Sequence, residues 1–409
     1  MKKGIEIGAK RPPPGGLTML LAAPHRGLFA AGMVQGLLAM IWWVIDLTGR
    51  FGGLGVLVSW PLPPSWLHAL MLCFGVFAFF IFGFILTAGP RWQKQPDTSP
   101  AIFGPTVLLM ATGWLMADIG LFIPMLLPAG LLLALAGWVV AAGFLWRLVL
   151  RGAGDRMHIG LMATAQTAGA SGLLCFALLA AGGPGWLGPP AIALGVWAYL
   201  LPVFMIVIHR MLPFFSQGVI RGFQPRRPAW ALYLMLAGSV AHGILAHLEL
   251  PAWTWLADLP VAIAAIRLTV LWRLIDSFAD RILAVVHVAF AWVGIGFSLL
   301  AASSLLLLAD LPGFGLAPLH ALTIGFVSSA LVGMASRVTL GHSGRPITGD
   351  GVMWACFWTM QAVAVLRVAS EFWVAAHPLV ALFWLLAFAR WAWHYAPAYW
   401  RPREDGEPG

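Results

Sequence analysis

The chain is built of apolar runs about as long as a bilayer is thick, and this limits what it can fold into. It has 409 residues, of which 61% are hydrophobic and 10% charged, whereas an ordinary soluble domain carries about 25% charged residues. In hydrocarbon every backbone polar group must be paired within the spanning structure, so runs of about 20 apolar residues become helices. Twelve are predicted, at 28–48, 66–88, 101–120, 127–149, 158–181, 190–210, 229–248, 254–274, 284–308, 317–338, 352–372 and 377–397. Gly and Pro breakers separate them, as in Pro61-Leu62-Pro63-Pro64 and Gly182-Gly183-Pro184-Gly185. The fold class is all-α, a polytopic integral membrane protein. A single transmembrane domain, 28–397, lies between an N-terminal segment, 1–27, and a tail, 398–409.

Charge sets the expected orientation. One set of loops holds Arg91, Lys94, Arg151, Arg156, Arg221, Arg226, Arg227, Arg281 and Arg345, with Lys2, Lys3, Lys10, Arg11 and Arg26 before them and Arg401 and Arg403 after. The alternate loops hold Arg50 alone. By the positive-inside rule both termini are cytoplasmic, in a bacterial inner membrane. The net charge of +9 is spread over short loops and forms no patch, which argues against nucleic acid as a partner. The basic, Pro- and Gly-rich stretch from Met1 to Arg26 is expected to be retained. Cys73, Cys175 and Cys356 stand alone in apolar runs, so neither a disulfide framework nor a c-type haem attachment is indicated. No GxGxxG, Walker loop or HExxH occurs. Asp276 and Asp280, flanked by Arg273 and Arg281, read as a solvated ion-pair cluster.

The chemistry lies in the eleven histidines, which fall near helix ends in two layers. A neutral imidazole is costly in lipid unless something binds it, and it ligates haem iron and copper well. In the outer layer, His68 begins helix 2 and His320 begins helix 10, at matching depth on two inward-running helices. They are candidates for holding a b-type haem. Met71, three residues after His68, is an alternative axial ligand. Arg367, inside helix 11, either meets a haem propionate or pairs with Glu371. His242 is a supporting candidate, while His247 and His377 read as interfacial. In the inner layer, His25, His209, His287 and His342 are candidates for a second haem or a copper site. Arg26, Arg210 and Arg345 stand beside or near them as anchors or partners, and His158 and His394 read as ordinary interfacial residues.

The stretch His320-Ala321-Leu322-Thr323-Ile324-Gly325, Gly333-Met334, Arg337-Val338 and Gly341-His342-Ser343-Gly344-Arg345-Pro346 resembles the most characteristic segment of the NnrS family of bacterial membrane proteins. Pro24-His25-Arg26, His68-Ala69, Gly83-Phe84-Ile85-Leu86-Thr87-Ala88, Arg210-Met211-Leu212-Pro213-Phe214-Phe215-Ser216, His287 and the tail from Ala396-Pro397 match in order, so the resemblance spans nearly the whole chain. It implies a membrane protein containing haem and copper, linked to nitric oxide metabolism, denitrification and resistance to nitrosative stress. Its motifs map onto His68, His287, His320, Arg337, His342 and Arg345. The run His68-Ala69-Leu70-Met71-Leu72 departs from the His-Ala-His-Glu-Met of many members, so an outer copper site does not carry over. His209 stands where many members have Gly. The architecture is also similar to the catalytic subunit of haem-copper oxidases, which places a low-spin haem between helices 2 and 10.

The functional expectation is a haem protein, with copper or a second haem, that acts on nitric oxide by binding or electron transfer. No catalytic activity or redox donor is assigned. The alternative is a transporter or channel whose histidines pass protons or metal ions.

Overall fold

The computed structural model describes residues 16–52 and 59–404. Lys2, Lys3, Lys10 and Arg11 of the charge count, and Asp405 to Gly409 of the family-like tail, lie outside the described residues. Among the described residues the architecture is helical without strands. Eleven helices among the described residues are long and apolar enough to cross a membrane. They are α1 (Pro24–Phe51), α2 (Pro64–Trp92), α3 (Pro100–Gly120), α4 (Leu126–Arg151), α5 (Arg156–Ala180), α6 (Gly185–Gln217), α7 (Ala229–His247), α9 (Arg281–Leu308), α10 (Ala317–His342), α11 (Gly351–Phe372) and α12 (Val374–Trp400). The remaining predicted span, 254–274, is α8 (Trp255–Leu271), whose 17 residues lie at the short limit for crossing. Several helices run a turn beyond their predicted bounds, so His25 falls in the first turn of α1 and not before it.

The helices run alternately up and down. One end gathers the start of α1 and every loop rich in arginine, and is called the basic end below. It is tied laterally, by Ala153 N–H to Gln93 O at 3.2 Å and Glu404 N–H to Ser343 O at 3.1 Å, and by Trp272 Nε1–H to Arg226 O at 2.9 Å. Four helices that begin here are capped by side chains: Ser99, Asp155, Asp280 and Asp350 each accept from a backbone N–H of the first turn. At the opposite end proline stands at the first or second position of the regular α-helix in α2 (Pro64), α10 (Pro318) and α12 (Pro378), where its missing N–H loses nothing.

Close packing follows from small residues. A Cβ on Gly113 of α3 would come within 2.6 Å of Gly130 O on α4, so the two backbones touch, as small-residue pairs allow in membranes. The centre belongs to α2, α6 and α10. Phe77 of α2 packs on Phe204 of α6 at 6.1 Å, and Phe204 on Phe326 of α10 at 6.1 Å. All three helices loosen into π-helix, over Met71–Val76, Leu194–Leu200 and Ala321–Ser328. There the N–H of Phe77 reaches Leu72 O, that of Leu201 reaches Val196 O, and that of Ser329 reaches Ile324 O, each five residues back.

Candidate functional site

The three π-helical segments face one cavity at the end away from the basic loops. Its volume is about 520 Å3, within the range of sites that enclose a cofactor-sized ligand. His68 of α2 and His320 of α10 both line it, and so do Arg50, Arg367 and His377. The other walls are mainly apolar, from α1, α2, α6, α11 and α12. A π-helical turn shifts the register of the chain that follows it, and such turns recur where a helix must open around a ligand.

Each imidazole is held differently. His320 Nδ1–H donates to Leu316 O, one turn back, at 2.9 Å, which leaves Nε2 with the lone pair, the tautomer of a metal-ligating histidine fixed by its own backbone. His68 is held by stacking. Trp43 of α1 lies on its ring at 4.2 Å with 16° between planes, and its Nδ1 is buried with no hydrogen-bond partner.

Both arginines at this cavity are half of an i,i+4 pair. Arg367 donates to Glu371 Oε2 at 2.9 Å, and Glu371 Oε1 accepts from Leu316 N–H at 3.0 Å. The pairing with Glu371 is therefore real, and it also fastens α11 to the turn that presents His320. Arg50 pairs with Asp46, which also accepts from Trp60 Nε1–H at 2.9 Å. Its guanidinium lies over Trp43 at 5.1 Å and Phe51 at 5.2 Å.

Three outer-layer expectations are corrected. Met71 is buried in the core and does not line the cavity. A residue three positions on lies about 60° to one side of His68, and the cavity face, through Ala69 and Leu72, runs the other way. His242 is engaged elsewhere, with Nδ1 at 2.8 Å from Asp258 Oδ1 and its ring against Trp197 at 4.0 Å. His247 is exposed, in keeping with an interfacial residue. His377 is not merely interfacial: it lines the cavity, edge-on to Phe51 at 5.9 Å, with Nε2 buried and unpartnered.

At the basic end the four inner-layer candidates do not meet at one point. Among the described residues no group of three or more His, Cys, Asp or Glu gathers to hold a metal ion. His25 faces His342, with ring centroids 4.4 Å apart. His209 pairs instead with His158, Nδ1 to Nε2 at 3.1 Å. His158 Nδ1 in turn lies 2.6 Å from Asp155 Oδ2, and Arg210 closes on the same carboxylate. His158 is thus the middle of a buried chain and not an ordinary interfacial residue. His209 Nε2–H donates to Pro228 O at 3.2 Å, which fixes the loop after α6. His287 Nε2 lies 2.9 Å from Ser216 Oγ, and that hydroxyl already donates to Leu212 O, so His287 is the donor. His394 Nε2 sits 2.8 Å from Asp350 Oδ2.

The arginines of this layer act as fasteners. Arg26 is buried and donates from Nη1 to the carbonyls of Ala398, Tyr399 and Arg401, which ties the chain's end to α1. Arg337 stacks over Phe215 at 3.9 Å, and Arg345 pairs with Glu404 at 2.8 Å. Asp155 lies in the loop before α5. Burial alone would raise its carboxyl, but the His158 ring and backbone N–H and the Arg210 guanidinium outweigh this and hold it below the ordinary carboxylate value. Arg273 and Asp276 form an exposed ion pair at 2.5 Å, in line with the solvated cluster read from sequence.

The sequence model of the NnrS protein family matches residues 19–403. The chain belongs to the NnrS family. No curated protein matches it. Membership implies a nitric oxide-related role in general terms, and the apolar helices make it a membrane-embedded protein.

In this NnrS protein the motif residues divide between the two ends. His68 and His320 share the cavity, while Arg337, His342 and Arg345 belong to the basic end. Sequence reasoning missed four residues. Arg50 stood out only as the exception to the loop-charge bias, and that exception was its signal. Trp43 lies seven residues before Arg50 on one helical face, a spacing readable only once Arg50 is suspected. His158 follows its capping Asp155 by three residues, a pairing visible in sequence. His377 was placed in the outer layer but read as interfacial, since its part in the cavity depends on the approach of α12 to α1.

Proposed function

We propose that this protein binds a b-type haem between His68 and His320 and uses it to bind nitric oxide or exchange electrons with it. The observation that carries the reading is one cavity of about 520 Å3 lined by both imidazoles and by two guanidiniums. The residues fit the group. His320 presents Nε2, His68 has a buried orphan nitrogen on a ring free of hydrogen bonds, the walls are mainly apolar, and Arg50 and Arg367 suit two carboxylates. Haem supplies one-electron redox chemistry and an iron with affinity for nitric oxide. The chain's own side chains do the rest. His68 and His320 fix the plane and depth of the group, Trp43 holds the His68 ring, and the apolar wall keeps water out. Loop charges support a bacterial inner-membrane location with the basic end, and both termini, in the cytoplasm. At the basic end His25 and His342 are the pair left facing each other, and two imidazoles suit copper.

Purified protein titrated with nitric oxide after reduction tests the reading. A haem spectrum that shifts at about one equivalent of gas per haem is expected, and Arg50→Gln should lose haem on dilution faster than the parent. Protein that carries no haem from the membrane and regains none on reconstitution would overturn it, in favour of proton or metal-ion passage by the histidines.

A further inference from the structure

A second, smaller void lies nearer the basic end than the cavity, and its walls differ. It holds about 40 Å3 and every lining side chain is apolar. By volume it has room for water, which needs about 10–15 Å3, but a buried water also needs two to four polar partners. The void offers none from its side chains, and its walls are helices whose backbone groups are already paired.

Its position follows from three helices. On α2 the cavity is lined by Phe77 and the void by Phe80; on α6 by Leu200 and then Phe204; on α10 by Ser328 and then Leu331. The void therefore lies one helical turn, about 5 Å, deeper along the same three walls. The Phe77–Phe204 contact marks the boundary. At the far side Phe29 lines the void and meets the His25 ring edge-on at 6.2 Å, and His25 faces His342. Apolar side chains thus fill the space between the outer cavity and the histidine pair of the basic end, with a dry chamber among them.

We propose that this chamber is a docking site for a small apolar diatomic gas, between the two histidine layers. The size excludes larger ligands, and the lining excludes ions and water. A gas that partitions into lipid gains by entering such a void, as xenon does in dry protein cavities. That the gas is nitric oxide rests on the function proposed above; the chamber does not.

Xenon is the probe, applied under pressure to crystals of the full chain and located by its anomalous scattering. A xenon atom between Leu331, Ala335 and Phe204 is expected in the parent. Ala335→Leu, which fills the chamber, should abolish it, and Leu331→Ala, which enlarges it, should raise its occupancy. Xenon absent from the chamber in the parent, or bound there equally in all three proteins, would overturn the proposal. The result is independent of haem content. Xenon bound in protein that takes up no haem would defeat the proposed function alone, and haem-loaded protein with no xenon there would defeat this inference alone.

Discussion

At the residue scale, the division of labour among polar side chains decides what each substitution does. Arg26 holds the chain's end by donating to three backbone carbonyls. Arg26→Met keeps the apolar stem and loses those bonds, and should cost about 2–3 kcal/mol in reversible unfolding without touching the cavity. Arg50→Ala removes a cation from the cavity's edge, and should weaken haem retention about tenfold, ~1.4 kcal/mol, measured by transfer to a haem-scavenging globin. The Asp155 carboxyl is held below its ordinary value, so its contribution to stability is present above about pH 4 and is lost as pH falls through the lower folded-state value. Thermal unfolding followed from pH 7 downward should show that loss, and Asp155→Asn should flatten it. His68 and His320 were legible as a pair because each opens an inward-running helix. His25–His342, His158–His209 and His242–Asp258 were not, because such pairs depend on which helices become neighbours, and spacing along one chain does not contain that.

At the element scale, the helices were legible and their distortions were not. Hydropathy over about 20 residues locates a span to within a turn. No proline falls inside Met71–Val76 or Ala321–Ser328, so nothing in composition marks the π-helical turns. They arise where packing around a cavity favours bonds five residues back over four. The segment in α10 follows His320 directly and widens the helix beside the cavity. Deleting Thr323 lets this stretch close to an α-helix, which winds about as far with one residue fewer, so His320 keeps its direction while the wide turn beside the cavity is lost. Haem content should fall well below the parent's while the deletion protein still inserts and unfolds cooperatively; full haem content would show that the π-turn is not needed to open the helix around the ligand.

At the scale of the whole molecule, two histidine layers sit at opposite ends of one bundle, and the chain's asymmetry of charge sets them apart. The up-and-down path was readable because each span is long and each loop carries its own charge signature; α8 shows the limit, at 17 residues. The bias predicts that a fluorescent reporter fused after Gln95 glows in the cytoplasm and that alkaline phosphatase fused after Asp310 is active outside. The reverse pattern would invert the molecule without altering its cavity. The cavity itself emerges only when α1, α2, α6, α10, α11 and α12 assemble, which is why its mouth residues Arg50 and His377 were missed. The central claim is that His68 and His320 share one haem across that cavity. The visible spectra of the oxidised and reduced His68→Ala, His320→Ala and His25→Ala proteins, set beside the parent, test it most directly. A low-spin haem spectrum in the parent and in His25→Ala, lost or converted to high spin in the other two, is the predicted result; a low-spin spectrum unchanged in His68→Ala or His320→Ala would contradict it.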